Sequence, residues 1–196
     1  METLLVATHN KGKEKEFKDI LGHKYIIKTL NDYPELPEIE ETGTTFRENA
    51  ALKAEAIANL TGLMVISDDS GLIIDELGGA PAVYSARWAG EPCNDHNNNM
   101  KLEAELLAVG KEQSTARYHC TIALAEPNEE TLFFEGALEG FVKNKPAGAK
   151  GFAYDPYFYS VHSDRLSLGQ IDSEIKNLIS HRGSAIDKLN EHLREK

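Results

Sequence analysis

Five short polar clusters in this chain bring together side chains equipped for chemistry. They are Thr8-His9-Asn10-Lys11-Gly12-Lys13, Glu40-Glu41-Thr42-Gly43, Ser67-Asp68-Asp69-Ser70-Gly71, Gly151-Phe152-Ala153-Tyr154-Asp155-Pro156 and Ser180-His181-Arg182-Gly183. Together they offer cations for phosphate, hard oxygen ligands for a metal and planar donors for a base, which is what a metal–nucleotide complex requires. Each also has a plainer reading when taken alone. The first joins a strand to a helix, a junction that aims backbone N–H groups and the positive helix end at one point; its lysines equally suit a solvated turn. It has too few glycines for a P-loop, and no Ser or Thr follows Lys13.

The acidic pair Asp68-Asp69 follows apolar Met64-Val65-Ile66 and reads as the end of a buried strand. Successive side chains of an extended chain face opposite ways, so one of the two points at a ligand and the other braces the turn. An Asx-turn that stops the strand is the alternative. Glu40-Glu41 suits the dipole of the helix that follows. Joined with the Asp pair, it supplies the two carboxylates that magnesium takes beside phosphate oxygens and water. Arg182 is a fork of donors with no acceptor. With His181 it would match a 6-keto purine and leave the amino group of adenine unpaired. Phe152 and Tyr154 offer faces for stacking on a base, at about 1–3 kcal/mol each, or else form an aromatic strand edge. The seven histidines show no HExxH or comparable metal spacing, and Asn97-Asn98-Asn99 reads as helical surface.

The elements that must position these clusters follow from periodicity. Leu4–Ala7 reads as a short buried strand, and Glu14–Leu21 as a helix with Phe17, Ile20 and Leu21 inward and Gly22 at its end. Thr45-Phe46-Arg47-Glu48 has the spacing of a capping box. It opens a helix that runs to about Leu60, with Gly62 beyond it. Ala50, Ala54 and Ile57 form the apolar stripe, while Asn49 and Lys53 share another face. Met64–Ser67 is a second strand ending at the acidic pair, and Leu72–Asp75 continues extended. Asp95–Val109 reads as a helix carrying Met100, Ala104 and Leu107. Arg117–Ala125 and Thr131–Val142 read as a hairpin with Gly136 as a bulge. Ala185–Leu193 closes the chain as a helix, with Ser180–Gly183 preceding it. Interleaved helices and strands predict an α/β fold with a mixed sheet, and ligands in such sheets sit beyond strand ends.

At 196 residues, 41% hydrophobic and 27% charged, the chain is expected to form one globular domain spanning 1–196. A formal charge of −11 repels nucleic acid and anionic lipid, so neither is an expected partner. Cys93 and Cys120 form no CxxC pair, which suits a reducing compartment. No apolar run approaches transmembrane length. The expected location is the cytoplasm.

The ordered motifs resemble those of the inosine/xanthosine triphosphate pyrophosphatase family, house-cleaning enzymes that act on noncanonical purine nucleoside triphosphates. The resemblance runs through Ala7–Lys13, Glu41-Thr42-Gly43-Thr44-Thr45-Phe46, Glu48-Asn49-Ala50, Leu52-Lys53-Ala54 and Asp68-Asp69-Ser70-Gly71-Leu72. It continues through Tyr84-Ser85-Ala86-Arg87, Tyr154-Asp155-Pro156, Lys176-Asn177 and Ser180-His181-Arg182. It implies an elongated α/β domain with a central mixed sheet flanked by helices, an active site in a central cleft, and a homodimer. The implied reaction is magnesium-dependent hydrolysis of ITP, dITP and XTP to monophosphate and pyrophosphate. By this resemblance Asp69 is the general base and, with Glu40 or its neighbour Glu41, a magnesium ligand. Thr8, His9, Asn10, Lys11, Gly12, Lys13 and Lys53 hold the phosphates. Ser70, Phe152, Ala153, Tyr154, Asp155, Lys176, His181 and Arg182 contact substrate. The chain departs from the family pattern where Ala153 replaces a glycine, Ala82 ends Gly79-Ala80-Pro81-Ala82, Trp88 replaces Tyr, and Gly169-Gln170 replaces Ala-Glu. Two alternatives are a nucleotide sensor that binds without turnover and a pyrophosphatase for other modified nucleotides.

Overall fold

A computed structural model describes residues 1–195. Six strands form one mixed sheet in the order β2-β1-β3-β4-β5-β6: β1 Glu2–Val6, β2 Tyr25–Thr29, β3 Val65–Ile74, β4 Gln113–Ala125, β5 Leu132–Lys143 and β6 Phe158–Ser160. β1 runs parallel to β2 and β3, while β5 and β6 are antiparallel. Among the described residues, five α-helices accompany them: α1 Lys11–Leu21, α2 Phe46–Thr61, α3 Asp95–Ala108, α4 Ser173–Ile179 and α5 His181–Glu195. The α/β class and the mixed sheet agree with the sequence reading.

The chain divides into two compact units. The first comprises Met1–Asp69, Cys120–Gly136 and the segment from Arg182 onward; the second comprises Ser70–His119 and Ala137–His181. In the first unit the period of two along β1 sorts two cores. Leu4 and Val6 join Phe17 and Leu21 of α1 and Ile186 and Leu189 of α5. Leu5 and Ala7 join Ala50, Ala54 and Ile57 of α2. A β-strand buried on both faces has no polar side, which is why Leu4-Leu5-Val6 reads as an unbroken apolar run. In the second unit Leu72 and Ile74 of β3 pack with Leu102 and Leu106 of α3 and with Tyr118, Tyr154 and Phe158.

Several local expectations match. Thr45 caps α2, Glu48 completes the reciprocal capping box, and Gly62 ends the helix at φ +72°. Others change. β3 is one strand of ten residues, so Asp68-Asp69 lies inside it and not at its end. β3 pairs with β1 at Val65 and Ile66, so the acids occupy the stretch of β3 beyond the end of β1. The chain turns there into α1. α5 begins at His181, which puts Ser180–Gly183 at the start of that helix and not ahead of it. α3 turns Leu102, Leu106 and Asn98 inward, while Met100 and Leu107 are exposed. Asn98 is no surface residue: it donates to the Ala86 carbonyl and accepts the Ala89 N–H. Those two bonds fix the rotation of α3 and turn the stripe read from sequence, Met100, Ala104 and Leu107, to the exposed side.

Candidate active site

The first unit gathers its charges around Asp68 and Asp69. At the end of β1, Asn10 caps α1 by accepting the Lys13 N–H at 3.0 Å, and its own N–H donates to Thr8 Oγ1 at 3.1 Å. Lys11 and Gly12 therefore open the helix, where backbone N–H groups lack partners within the helix and suit an anion. His9 is exposed and its ring lies 3.3 Å from Asn31 Oδ1. Asn31 also reaches the His9 carbonyl and Glu14, so it ties the two sides of this turn together.

Alternation along β3 sends the two carboxylates to opposite faces. Asp68 meets the α1 and α5 side. Its Oδ2 takes Lys13 Nζ at 3.0 Å and Arg182 Nε at 3.1 Å, and Cys120 Sγ lies 4.0 Å away. The Arg182 guanidinium also bonds Glu16, a buried acid of α1. Burial alone would push Asp68 up, but Lys13, Arg182 and Lys53 outweigh it and hold the carboxyl well below its ordinary range. Burial, reinforced by Asp68, pushes the Cys120 thiol far up, so it stays neutral.

Asp69 meets the α2 side. Asn49, fully buried, donates to Asp69 Oδ2 at 3.1 Å and accepts the Gly43 N–H at 2.8 Å. One turn along α2, Lys53 Nζ bonds Glu41 Oε1 at 2.5 Å and the Asp68 carbonyl at 2.7 Å. Asp69 is only 4% exposed, and burial pushes its pKa up to about 6. Lys53 and Lys13 pull it down, while the Glu41 charge pushes it further up. For Lys53, Glu41 and the two aspartates overcome burial and keep it cationic. Adjacent carboxylates are thus held in different states: one locked ionised, one with its proton available near neutral pH.

The structure brings Asp68, Asp69, Lys13, Lys53 and Arg182 together within this unit. It places Glu41, and not Glu40, beside Lys53 and in the field of Asp69; Glu40 is exposed. Among the described residues, no group of three or more His, Cys, Asp or Glu is placed to hold a metal ion. The two carboxylates Glu41 and Asp69 are hard oxygen donors of the kind that suits a divalent cation. Arg182 is buried between two carboxylates, so its Nε and Nη1 are engaged with protein. Sequence reasoning gave Arg182 to the base and missed Glu16. The signal for Glu16 was a lone acid in the buried stripe of α1, beside Phe17 and one turn from Lys13.

The second unit holds the other set, centred on Asp155. Its Oδ2 accepts the Phe152 N–H at 2.9 Å and Lys176 Nζ at 2.7 Å, and its Oδ1 faces the Tyr118 hydroxyl at 3.4 Å. A Cβ on Gly151, at φ +75°, would fall on this carboxylate, so glycine is required there. Lys176 Nζ lies 4.4 Å from the Phe152 ring centroid, and His181 stacks on Tyr118 at 4.7 Å. Tyr154 turns into the core and donates its hydroxyl to the Ser85 carbonyl at 2.5 Å, so of the two rings only the half-buried Phe152 is partly accessible at this turn. Ser70 is partly buried on β3. The two alanines noted in sequence as standing for glycine, Ala82 and Ala153, both keep positive φ, at +50° and +52°.

Fold and site define an α/β protein with a buried carboxylate–cation network at the start of a helix, suited to an anionic, metal-bound substrate. The sequence model of the Ham1 family matches residues 4–192, and the chain belongs to that family. It is 52% identical over 191 residues to a dITP/XTP pyrophosphatase of Shouchella clausii, covering 97% of this chain and 96% of that one. It is 50% identical over 196 residues to a dITP/XTP pyrophosphatase of Listeria innocua, covering 100% and 96%. Among solved structures, a HAM1 protein from Coxiella burnetii superposes with a TM-score of 0.88 and the Staphylococcus aureus Ham1 protein with 0.85. Both are 38% identical, over the full length of both chains.

Proposed function

We propose that this chain hydrolyses noncanonical purine nucleoside triphosphates such as dITP, XTP and ITP to the monophosphate and pyrophosphate. The observation that carries the reading is the unequal pair Asp68-Asp69. Asp69 is buried on the α2 side with one oxygen held by Asn49, and burial raises its carboxyl in the metal-free protein, which suits a group placed to take a proton from water. Asp68, locked ionised, fixes Lys13 beside it. The names of the relatives supply the substrate class.

In this mechanism a water molecule attacks the α-phosphorus as Asp69 takes its proton, the bond from that phosphorus to the bridging oxygen breaks, and pyrophosphate leaves. Lys13 and Lys53 stabilise the charge that develops on phosphate oxygens. The α1 amides of Lys11 and Gly12, with Thr8, His9 and Asn10 ahead of them, hold the polyphosphate. Glu41 and Asp69 would hold magnesium, which supplies charge neutralisation and orientation of the phosphates. Asn49 keeps Asp69 and the Gly43 loop in register. Phe152 offers a face for the purine, and Lys176 and His181 offer donors for a 6-keto oxygen. The family resemblance adds a homodimer to the reading, and the unpaired cysteines Cys93 and Cys120 add a reducing compartment, the cytoplasm.

The test is product analysis with dITP, XTP, ITP, GTP and ATP, with and without magnesium. The proposal expects pyrophosphate from the 6-keto purines, poor release from ATP, and little without the metal. Binding of dITP with no product would refute it.

A further inference from the structure

The Phe152 turn is held from two sides, and the second side involves residues that the reaction does not use. Ala153 sits at φ +52°, a left-handed conformation that an alanine rarely adopts because its Cβ crowds the following carbonyl. Such a conformation persists only where the surroundings over-determine it. Both polar groups of Ala153 are taken by one face of α3. Its N–H donates to Asp95 Oδ2 at 2.9 Å, and its carbonyl accepts from Asn99 Nδ2 at 3.1 Å. Residues 95 and 99 are i and i+4, so they stand above one another on the helix. α3 is itself anchored by buried Leu102 and Leu106 and by the two bonds of Asn98, so the clamp stands on a fixed support. On the opposite side of the turn, Asp155 takes the Phe152 N–H and Lys176.

We propose that Asp95 and Asn99 are positioning residues that hold Ala153 left-handed and thereby set the Phe152 ring and the Lys176 ammonium above it for the purine. The proposal rests on the reading of Phe152 as the base platform. Asn99 is the cleaner probe, because Asp95 is also the first residue of α3 and favours its dipole. Without Asn99 the alanine relaxes toward negative φ, and the ring is no longer held in one place. A glycine at 153 tolerates positive φ unaided, so it removes the need for the clamp.

The experiment compares wild type, Asn99→Ala, Ala153→Gly, the double variant and Phe152→Ala in the full chain. It measures kcat and KM for dITP, inhibition by inorganic tripolyphosphate, and thermal melting. Asn99→Ala should raise the dITP KM about 3–10-fold, the value of one net hydrogen bond. Its kcat and its tripolyphosphate inhibition constant should stay within about twofold. In the Ala153→Gly background, the same substitution should change KM by less than about twofold. If Phe152→Ala raises KM but Asn99→Ala does not, or if Asn99→Ala costs the same in both backgrounds, the clamp proposal is overturned and the platform stands. If neither variant moves KM, the platform reading falls and the proposal with it. A drop in melting temperature with no KM change assigns Asn99 a structural role only, which also overturns it.

Discussion

Replacing Asp69 with asparagine should abolish most activity and at the same time stabilise the metal-free protein. Asp69 carries a pKa raised from 3.8 to about 6, mainly by burial. A difference of roughly 2 units at about 1.36 kcal/mol each means that ionising this carboxyl inside the fold costs about 3 kcal/mol. Below about pH 4 the group is protonated in both folded and unfolded chains, and it exacts no ionisation cost. Between about pH 4 and pH 6 the unfolded chain releases the proton first, so stability falls as pH rises through that window. Above it the whole cost is present. An amide of the same shape never ionises and can still accept the Asn49 N–H. In the presence of a chelator, Asp69→Asn should therefore be about 2–3 kcal/mol more stable than wild type near neutral pH, or about 5–10 °C higher in melting temperature. The gap should close to within about 0.5 kcal/mol near pH 4. Turnover should fall by about 10²–10⁴. Denaturant unfolding at several pH values reads the first effect and pyrophosphate release the second. A variant less stable than wild type at neutral pH, or a gap that ignores pH, refutes the reasoning about Asp69.

Two further outcomes follow from the same network. Glu41→Gln should raise the magnesium concentration needed for half-maximal activity by about tenfold or more, while Glu40→Gln should leave it nearly unchanged, because a hard cation depends on the number of charged oxygens around it; titration of activity against magnesium separates the two. Arg182→Met leaves the buried carboxylates of Glu16 and Asp68 without their shared cation and should destabilise the fold by about 3–5 kcal/mol in urea unfolding; a loss below about 1 kcal/mol would show that the network is not structural.

Much of this was legible in the chain. The capping box at Thr45 and Glu48, the stop at Gly62 and the unbroken apolar run of β1 each encode an element locally, and each appears in the fold. The acidic pair was legible as chemistry, yet its position inside β3 was not. A strand interior normally holds no adjacent carboxylates, and their tolerance depends on Lys13, Lys53 and Arg182 arriving from distant segments. β2 and β6 escaped notice because a five-residue strand with a lysine in it and a three-residue strand give too short a pattern. The stripe of α3 was misphased because its anchor is polar Asn98, whose partners Ala86 and Ala89 lie in a loop. Glu16 and Arg182 are 166 positions apart, and only the fold shows them to be partners.

Hydrolysis of dITP in heavy-oxygen water tests the central claim most directly, because it reports which phosphorus the water attacks. With Asp69 directing water to the α-phosphorus, mass spectrometry should find the label in the nucleoside monophosphate and none in the released pyrophosphate. Label in pyrophosphate, or release of orthophosphate with a nucleoside diphosphate, would contradict the account.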